Sequence, residues 1–405
     1  MRTKVLILME LSALEPNLRS YGGVDSVCQM HLEGLRRHGD PDVDYVILGF
    51  NPANDLASNG EVRALASNIE LHWHNYDRRS GLGRFVPNVA FNEWLVRRFI
   101  KRQRPDVVHS HNPAWGVFRY CDARKVLTLH SYQQIGRTSV GPLNDLFYET
   151  LLPAKTIGAA DMVSSVSREI VEQLHRGRCT RAIHLPNPIN IGYSGIERNL
   201  AGLANVNLLM IGNAVPLKRI LDGLEVVRRL QARRPNLHLY VAGRYIPDDL
   251  YCRSLQDYAL RNGLTENVHF LGRLDAASLR RRLSETHIGL SLSESESFGL
   301  APLEMMAAGV PTITTEVGVV HWHKDAFQAR GVDVVRPGDI AAIANAVEAR
   351  IRDEAYTISA ELSAYVETAF SLQEYVVRTE ELYRSPVPAR APVPRAVDLS
   401  GEHAL

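Results

Sequence analysis

Two glutamates, Glu296 and Glu304, stand with seven residues between them in the run from Ser295 to Pro311, Ser-Glu-Ser-Phe-Gly-Leu-Ala-Pro-Leu-Glu-Met-Met-Ala-Ala-Gly-Val-Pro. Helix punctuation surrounds them: Pro302 suits a first helical turn, Gly309 suits the C-terminal end, and Pro311 prevents continuation. A short helix is therefore expected, entered from the apolar strand Ile288 to Leu292, with its amino end at Phe298 to Ala301. Unpaired backbone N–H groups and the positive end of the helix dipole favour an anion such as a phosphate there, and Gly299 lets the backbone approach it closely. Glu304, one turn into the helix, could accept hydrogen bonds from hydroxyls on a group attached to that phosphate. Glu296 could do the same on the other side. An acidic loop in water with a capping carboxylate is the plainer reading of the same residues.

In this setting the chain resembles the retaining glycosyltransferases of family 4, which have the GT-B fold. The resemblance implies that Glu296 contacts hydroxyls of a donor sugar, that Glu304 holds the ribose of a nucleotide, and that the amides of Phe298, Gly299 and Leu300 bind the diphosphate between them. Tyr21-Gly22-Gly23-Val24 matches the family's Gly-Gly loop at the start of the first helix, where missing side chains admit the diphosphate. The family's second loop usually has Arg directly after a Gly and Lys five residues on, both neutralising the leaving diphosphate. Here Lys218 matches, but Asn213 stands where the Arg is expected, and Arg219 or Arg244 is a candidate to supply the missing cation.

Further segments agree with the family along nearly all of residues 1–384: Asp106 to His111, Val126 to His130, Ala160 to Ser167, Pro186-Asn187, and Phe370 to Leu372. His130 closes an apolar strand, where an imidazole can orient a sugar hydroxyl or a phosphate oxygen, although a carbonyl-bonded core histidine is the rival reading. His111 is a weaker version of the same expectation, and His109 is expected to point into the core. The loop Ser131 to Asn144, with Gln133 and Arg137, is expected to meet the acceptor together with His111. Catalysis then falls to His130, Lys218 and Glu296. The implied reaction is retaining transfer of a sugar from a nucleoside diphosphate sugar to an acceptor hydroxyl. It uses no metal and no bound cofactor, with Lys218 and helix N-termini in the metal's electrostatic role. An epimerase-like relative and a non-catalytic nucleotide-sugar-binding protein stay open, and Asn213 leans towards the second.

Positioning these residues takes two α/β halves. Short apolar runs alternate with helical patterns, the mark of βαβ units and parallel sheets. Val5 to Met9, Tyr45 to Gly49, Val107 to His109, Val126 to His130 and Met162 to Val166 read as buried strands. Helices are expected over Val24 to His38, Asn92 to Gln103 and Arg168 to His175. After a polar, glycine-containing stretch the pattern restarts at Leu208 and gives strands at Leu237 to Ala242, Val268 to Leu271, Ile288 to Leu292, Thr312 to Thr315 and Val332 to Val335. The expected fold is α/β of GT-B type, two Rossmann-like domains whose parallel sheets face a central cleft. Residues 1–190 form the acceptor domain, 191–205 a linker, 206–369 the nucleotide-sugar domain, 370–384 a helix crossing back to the first domain, and 385–405 a disordered tail.

Composition narrows the partners. With 46 basic and 45 acidic residues and a formal net charge of +1, the chain lacks the basic surplus of a nucleic-acid binder. Its four cysteines are scattered without a C-x-x-C pair, which argues against structural zinc or a disulfide framework. Asp40-Pro41-Asp42 forms a D-x-D, a metal-binding pattern in another glycosyltransferase fold, but it reads here as an acidic turn before a strand. The opening apolar run is too short for a signal peptide core, so a cytoplasmic location is expected. Arg97, Arg98, Lys101, Arg102 and Arg104 crowd one helix beside Trp94, giving either a solvated face or a peripheral contact with the inner membrane surface.

Overall fold

Val5 through Met9 are all wholly buried, as a strand covered by helices on both faces of a parallel sheet requires. The computed structural model describes residues 2–15, 20–57, 59–77, 88–113, 121–132, 150–189 and 191–386. The first domain begins with β1 (Thr3–Glu10), α1 (Gly23–His38), β2 (Val43–Asn51), β3 (Glu61–Ala66), β4 (Ile69–Asn75) and α2 (Asn88–Gln103). It continues through β5 (Val107–Ser110), β6 (Arg124–Leu129), α3 (Leu152–Ala159), β7 (Met162–Ser165), α4 (Arg168–Arg176) and β8 (Ala182–His184). Its sheet runs β3-β4-β2-β1-β5-β6-β7-β8, parallel except where β3 folds back on β4.

The second domain holds β9 (Val206–Ile211), α5 (Ile220–Leu230), β10 (Leu237–Ala242), α6 (Leu250–Arg261), β11 (Val268–Gly272), α7 (Ala276–Ser284) and β12 (Ile288–Ser291). There follow α8 (Leu300–Ala307), β13 (Thr312–Thr315), α9 (Val319–Trp322), α10 (Lys324–Gln328), β14 (Asp333–Val335) and α11 (Ile340–Arg352). Its sheet is parallel throughout, ordered β11-β10-β9-β12-β13-β14. Two last helices, α12 (Ala360–Ala369) and α13 (Leu372–Arg384), close the described chain.

Both sheets reverse their strand order at the first strand. β1 lies between β2 and β5, and β9 lies between β10 and β12, so the loops leaving β1 and β9 sit at topological switch points, where ligands collect in open α/β sheets. Helix α13 returns to the first domain. There Leu372, Tyr375, Val376, Leu382 and Tyr383 are buried, and Gly34 of α1 lets the two helices touch. A Cβ at Gly34 would stand 2.6 Å from Val376.

Beyond the added α3 and β8 and an α2 that starts at Asn88 rather than Asn92, two features differ from expectation. The β3–β4 hairpin was not anticipated, because charged and small residues interrupt its alternation. The segment 191–205 is no loose tether: Tyr193 is buried, and the Arg198 guanidinium donates to the carbonyls of Gly309 and Thr286, fastening the segment to the second domain. Of the expected tail only Ser385 and Pro386 are described; the rest lies outside the described residues.

Candidate active site

The loops leaving β1, β9 and β12 converge on one cleft between the sheets, with a volume of about 480 Å³. From the first domain Gly22, Gly23, His130, Ser131 and Asn187 line it. From the second come Asn213, Lys218, Arg273, Glu296, Phe298, Gly299, Leu300 and Glu304, with Tyr193 at the junction.

Two helix amino ends open onto this space. Helix α1 starts at Gly22-Gly23, where added Cβ atoms would meet nothing within 4 Å, so the missing side chains leave room for a ligand rather than for packing. Among the described residues no side chain caps it. The loop before it is held by the buried Asp25 carboxylate, which accepts from the Ser12 amide (2.8 Å), the Ser12 hydroxyl (2.6 Å) and the Tyr21 amide (2.8 Å). Helix α8 starts after Gly299 at φ 95°, a left-handed turn natural to glycine, and it too lacks a capping side chain. Leu300 packs against the apolar cluster that Val27 and Met30 of α1 form with Leu372 of α13, so the two helix starts lie on one cluster. Unsatisfied N–H groups and the positive dipole ends of both helices make the space they open onto attractive to anionic oxygens.

Charge on the second-domain wall is arranged in pairs. Lys218, on a short turn after β9, donates to Glu296, whose carboxylate also accepts from the Ser293 hydroxyl at 2.7 Å. Glu304 lies deeper, on the inner side of α8, and burial pushes its carboxyl up to about 7. The neighbouring Tyr193 phenol is raised as well, by burial first and by the Glu304 charge second. The Arg273 guanidinium sits 4.2 Å from the ring centre of Tyr21, reaching across from β11 to the glycine loop of the first domain. On the first-domain wall, burial holds His130 down at about 4, so the imidazole is neutral near pH 7.

Two family descriptions match the chain in tandem: Glycosyltransferase Family 4 over residues 21–193, and Glycosyl transferases group 1 over residues 202–368. The chain belongs to glycosyltransferase family 4. It is 27% identical over 323 residues to a glycogen synthase of Mycobacterium tuberculosis, covering 75% of each chain. It is 26% identical over 277 residues to a phosphatidyl-myo-inositol mannosyltransferase of Mycobacterium leprae, covering 64% of this chain and 67% of that one. Among solved structures, sucrose-phosphate synthase from Thermosynechococcus elongatus superposes with a TM-score of 0.75 at 18% identity, over 95% of this chain and 98% of the other. Anabaena HepE, solved with UDP and glucose, gives 0.69 at 16% identity, over 95% and 100%. These likenesses and the two facing parallel sheets identify the fold as GT-B.

Within this family 4 glycosyltransferase, Gly22, Gly23, His130, Asn213, Lys218, Glu296, Phe298, Gly299, Leu300 and Glu304 all line the one cleft. Three expected site residues do not. Arg219 turns away to pair with Asp222 at 2.6 Å and Glu294 at 3.2 Å, and Arg244 is exposed outside the cleft. His111 is buried behind His130. Asn213 uses its side-chain oxygen to accept from the Arg244 amide at 3.0 Å, so the position left without an arginine serves to fix the loop. Gln133 and Arg137 lie outside the described residues.

His109 is buried and satisfied, by the Tyr383 hydroxyl at 2.8 Å and the Thr128 hydroxyl at 2.7 Å. Asp40 and Asp42 stay in their turn, the Asp42 amide donating to Asp40 at 2.8 Å, and neither lines the cleft. Sequence reasoning missed Arg273 and Tyr193 as cleft residues. Arg273 follows a strand end, a signal that was available, whereas Tyr193 sits in a stretch without periodicity.

Proposed function

We propose that this enzyme transfers a sugar, with retention of anomeric configuration, from a nucleoside diphosphate sugar to an acceptor hydroxyl held by the first domain. The observation that carries the reading is the meeting, in one cleft, of two uncapped helix amino ends with Lys218, Glu296 and Glu304. In this reading Glu304 accepts from the ribose hydroxyls and the amides at Gly299 and Leu300 face the diphosphate. Lys218 leaves Glu296 for the phosphate, which frees Glu296 to accept from hydroxyls of the sugar. Arg273 stands in for the cation missing at Asn213. Lys218, Arg273 and the helix ends then carry the charge that grows on the leaving phosphate, so no divalent metal is needed.

The chemical step we favour is front-face displacement. The bond from the anomeric carbon to the phosphate oxygen breaks, the acceptor oxygen bonds to that carbon on the same face, and its proton passes to the departing phosphate oxygen. Closure of the cleft would keep water from competing as acceptor. A hydroxyl on a polysaccharide, a glycolipid or a natural product fits this chemistry. For a lipid-borne acceptor, α2 presents an exposed Trp94 with the Arg98 guanidinium 5.6 Å from its ring centre, a pairing suited to a membrane surface. No helix among the described residues is long and apolar enough to cross a membrane.

A thermal-shift screen of UDP-, GDP-, ADP- and dTDP-sugars tests the reading first, since a bound donor raises stability by mass action. Anomeric analysis of the product by NMR then tests retention, and chelator-treated enzyme should keep its rate. Lys218→Ala should lower turnover by about 10²-fold or more while the fold survives. Full activity in a folded Lys218→Ala variant would sink the phosphate assignment.

A further inference from the structure

From His130 inward, three imidazoles form a continuous chain into the core. His130 Nε2 lies 3.0 Å from His111 Nδ1, and His111 Nε2 lies 3.0 Å from His31 Nδ1. All three side chains are buried. The chain ends blindly, because His31 Nε2 is buried and meets no hydrogen-bonding partner among the described residues. Burial holds His31 at about 3, His130 at about 4 and His111 well below the ordinary histidine range, so all three rings are neutral near pH 7. The groups facing the chain are Cys28 of α1, kept protonated by burial, the neutral His109 of β5, and Tyr375 and Tyr383 of α13, whose phenols burial raises.

Proton counting fixes the direction of this chain. Three neutral rings hold three N–H protons. Each of the two ring-to-ring hydrogen bonds takes one, which leaves one proton for either outer nitrogen, His31 Nε2 or His130 Nδ1. At His31 it would be a buried donor without an acceptor, a costlier defect than a bare lone pair. At His130 it sits on the ring of the three that lines the cleft, on the nitrogen that His111 does not engage.

We propose that His31 and His111 are positioning residues that hold His130 as a neutral donor of an Nδ1–H hydrogen bond into the cleft, so that His130 recognises an acceptor oxygen of the donor substrate, on its phosphate or on its sugar. The proposal rests on the reading of the cleft as a nucleotide-sugar site. A metal centre is the competing use of these side chains, since Cys28, His111 and His130 bring ligand atoms within 4.8 Å of one another, as do His31, His109 and His111. Both ring nitrogens of His109 and of His111 are already engaged, however, which favours the chain.

Histidine-selective ¹⁵N NMR on the full chain, with signals assigned by single substitutions, reads the tautomers directly and without any substrate. The expected result is the Nδ1–H form at His31, His111 and His130. An Nε2–H form at His130, or at His31 whatever accepts that proton, overturns the proposal. So does stoichiometric zinc binding that is lost in Cys28→Ser.

Two variants add a functional readout. His31→Asp places an acceptor at the buried end and should reverse His130 to Nε2–H, lowering kcat by about 10²-fold. His31→Asn, whose amide can still donate, should keep both tautomer and rate. An unchanged His130 tautomer in a folded His31→Asp variant overturns the proposal; if that variant does not fold, the spectrum of the unmodified protein decides.

Titration with UDP, GDP and ADP and with the matching nucleotide glucoses separates the two oxygen sources. A shift of the His130 Nδ1–H signal with the nucleotide alone marks a phosphate oxygen, and one seen only with the nucleotide sugar marks a sugar oxygen. A bound nucleotide sugar that leaves the signal unmoved overturns the recognition role. Expected tautomers without binding of any nucleotide would instead defeat the functional reading and leave the chain's polarity standing.

Discussion

Glu304 shows how one residue can join function to stability. Its carboxyl titrates at about 7 in the folded protein because burial disfavours the charge, against an ordinary value of 4.5. The folded state therefore holds this proton more tightly than the unfolded chain does. The associated stability is fully present below pH 4.5 and is lost as pH rises to about 7, by about 3 kcal/mol if the whole shift is expressed. Glu304→Gln keeps the shape without the charge, so its melting temperature should exceed the parent's above pH 7 and converge with it near pH 4.5. Donor binding should change in the opposite sense. Ribose hydroxyls donate to a carboxylate, so the parent's donor affinity should rise with pH through about 7, whereas Glu304→Gln should bind about 10–100-fold more weakly without that pH dependence. Calorimetric titration between pH 5.5 and 8.5 reads both trends, and a flat parent profile would contradict the assignment. The site was legible at Glu296 and Glu304 because Pro302, Gly309 and Pro311 dictate where their helix begins and ends. It was not legible at Arg219, where Asp222, one turn on, captures the guanidinium. Nearby basic residues state that charge exists, and only the competing partner says where it points.

Elements were readable where burial writes a continuous pattern. β1, β2, β9 and β12 each hold an unbroken run of buried residues, so apolar runs marked them, while β3, with its exposed Val62 and Arg63, left almost no trace. The strand-end loops that build the site were legible as positions and not as geometry, because their shape depends on contacts distant in sequence. Gly318 is the sharpest instance. It sits at φ 55°, just before α9, and a Cβ there would lie 2.3 Å from the Phe298 carbonyl oxygen, which itself accepts from the Val319 amide at 2.7 Å. The loop from Glu296 to Gly299 therefore rests directly on a glycine backbone. Gly318→Ala should cost about 2 kcal/mol of stability from the left-handed strain and the displaced carbonyl. It should also raise KM for the donor, because the α8 amino end and Glu296 shift together. Chemical denaturation and donor-dependent kinetics on the same preparation check the pair of effects, and a stability loss with unaltered KM would show that the loop is not positioned from behind.

At the scale of the whole molecule, the second domain's last helix belongs structurally to the first. The core of the first sheet counts Tyr375, Val376, Leu382 and Tyr383 among its members, whereas the main core of the second domain contains no residue of α13. Polar contacts reinforce the attachment. The buried Glu380 carboxylate accepts from the Tyr45 hydroxyl and from the Asp40 amide at 2.9 Å, and Arg384 pairs with Asp40. Burial and the Glu380 contact together push the Tyr45 phenol up, which keeps it a donor. Each large apolar side chain withdrawn from this core forfeits about 1.5–3 kcal/mol, so losing these four forfeits about 6–12 kcal/mol, within the range of an entire domain's stability. Truncation after Ser371 should therefore unfold the first domain and leave the second folded and able to bind nucleotide. Hydrogen exchange resolved by domain reads this outcome, with protection lost across β1 and α1 and kept across β9 and α5. Tyr45→Phe is the graded control: it removes one donor from a buried carboxylate, should cost about 1–3 kcal/mol, and should lower the first domain's unfolding midpoint without altering the second's. If truncation instead unfolds both domains together, the cleft itself couples them, through packing such as Leu300 against the cluster of Val27, Met30 and Leu372, whose last member the truncation removes, and closure around a donor would then tighten an interface that already exists in the free enzyme.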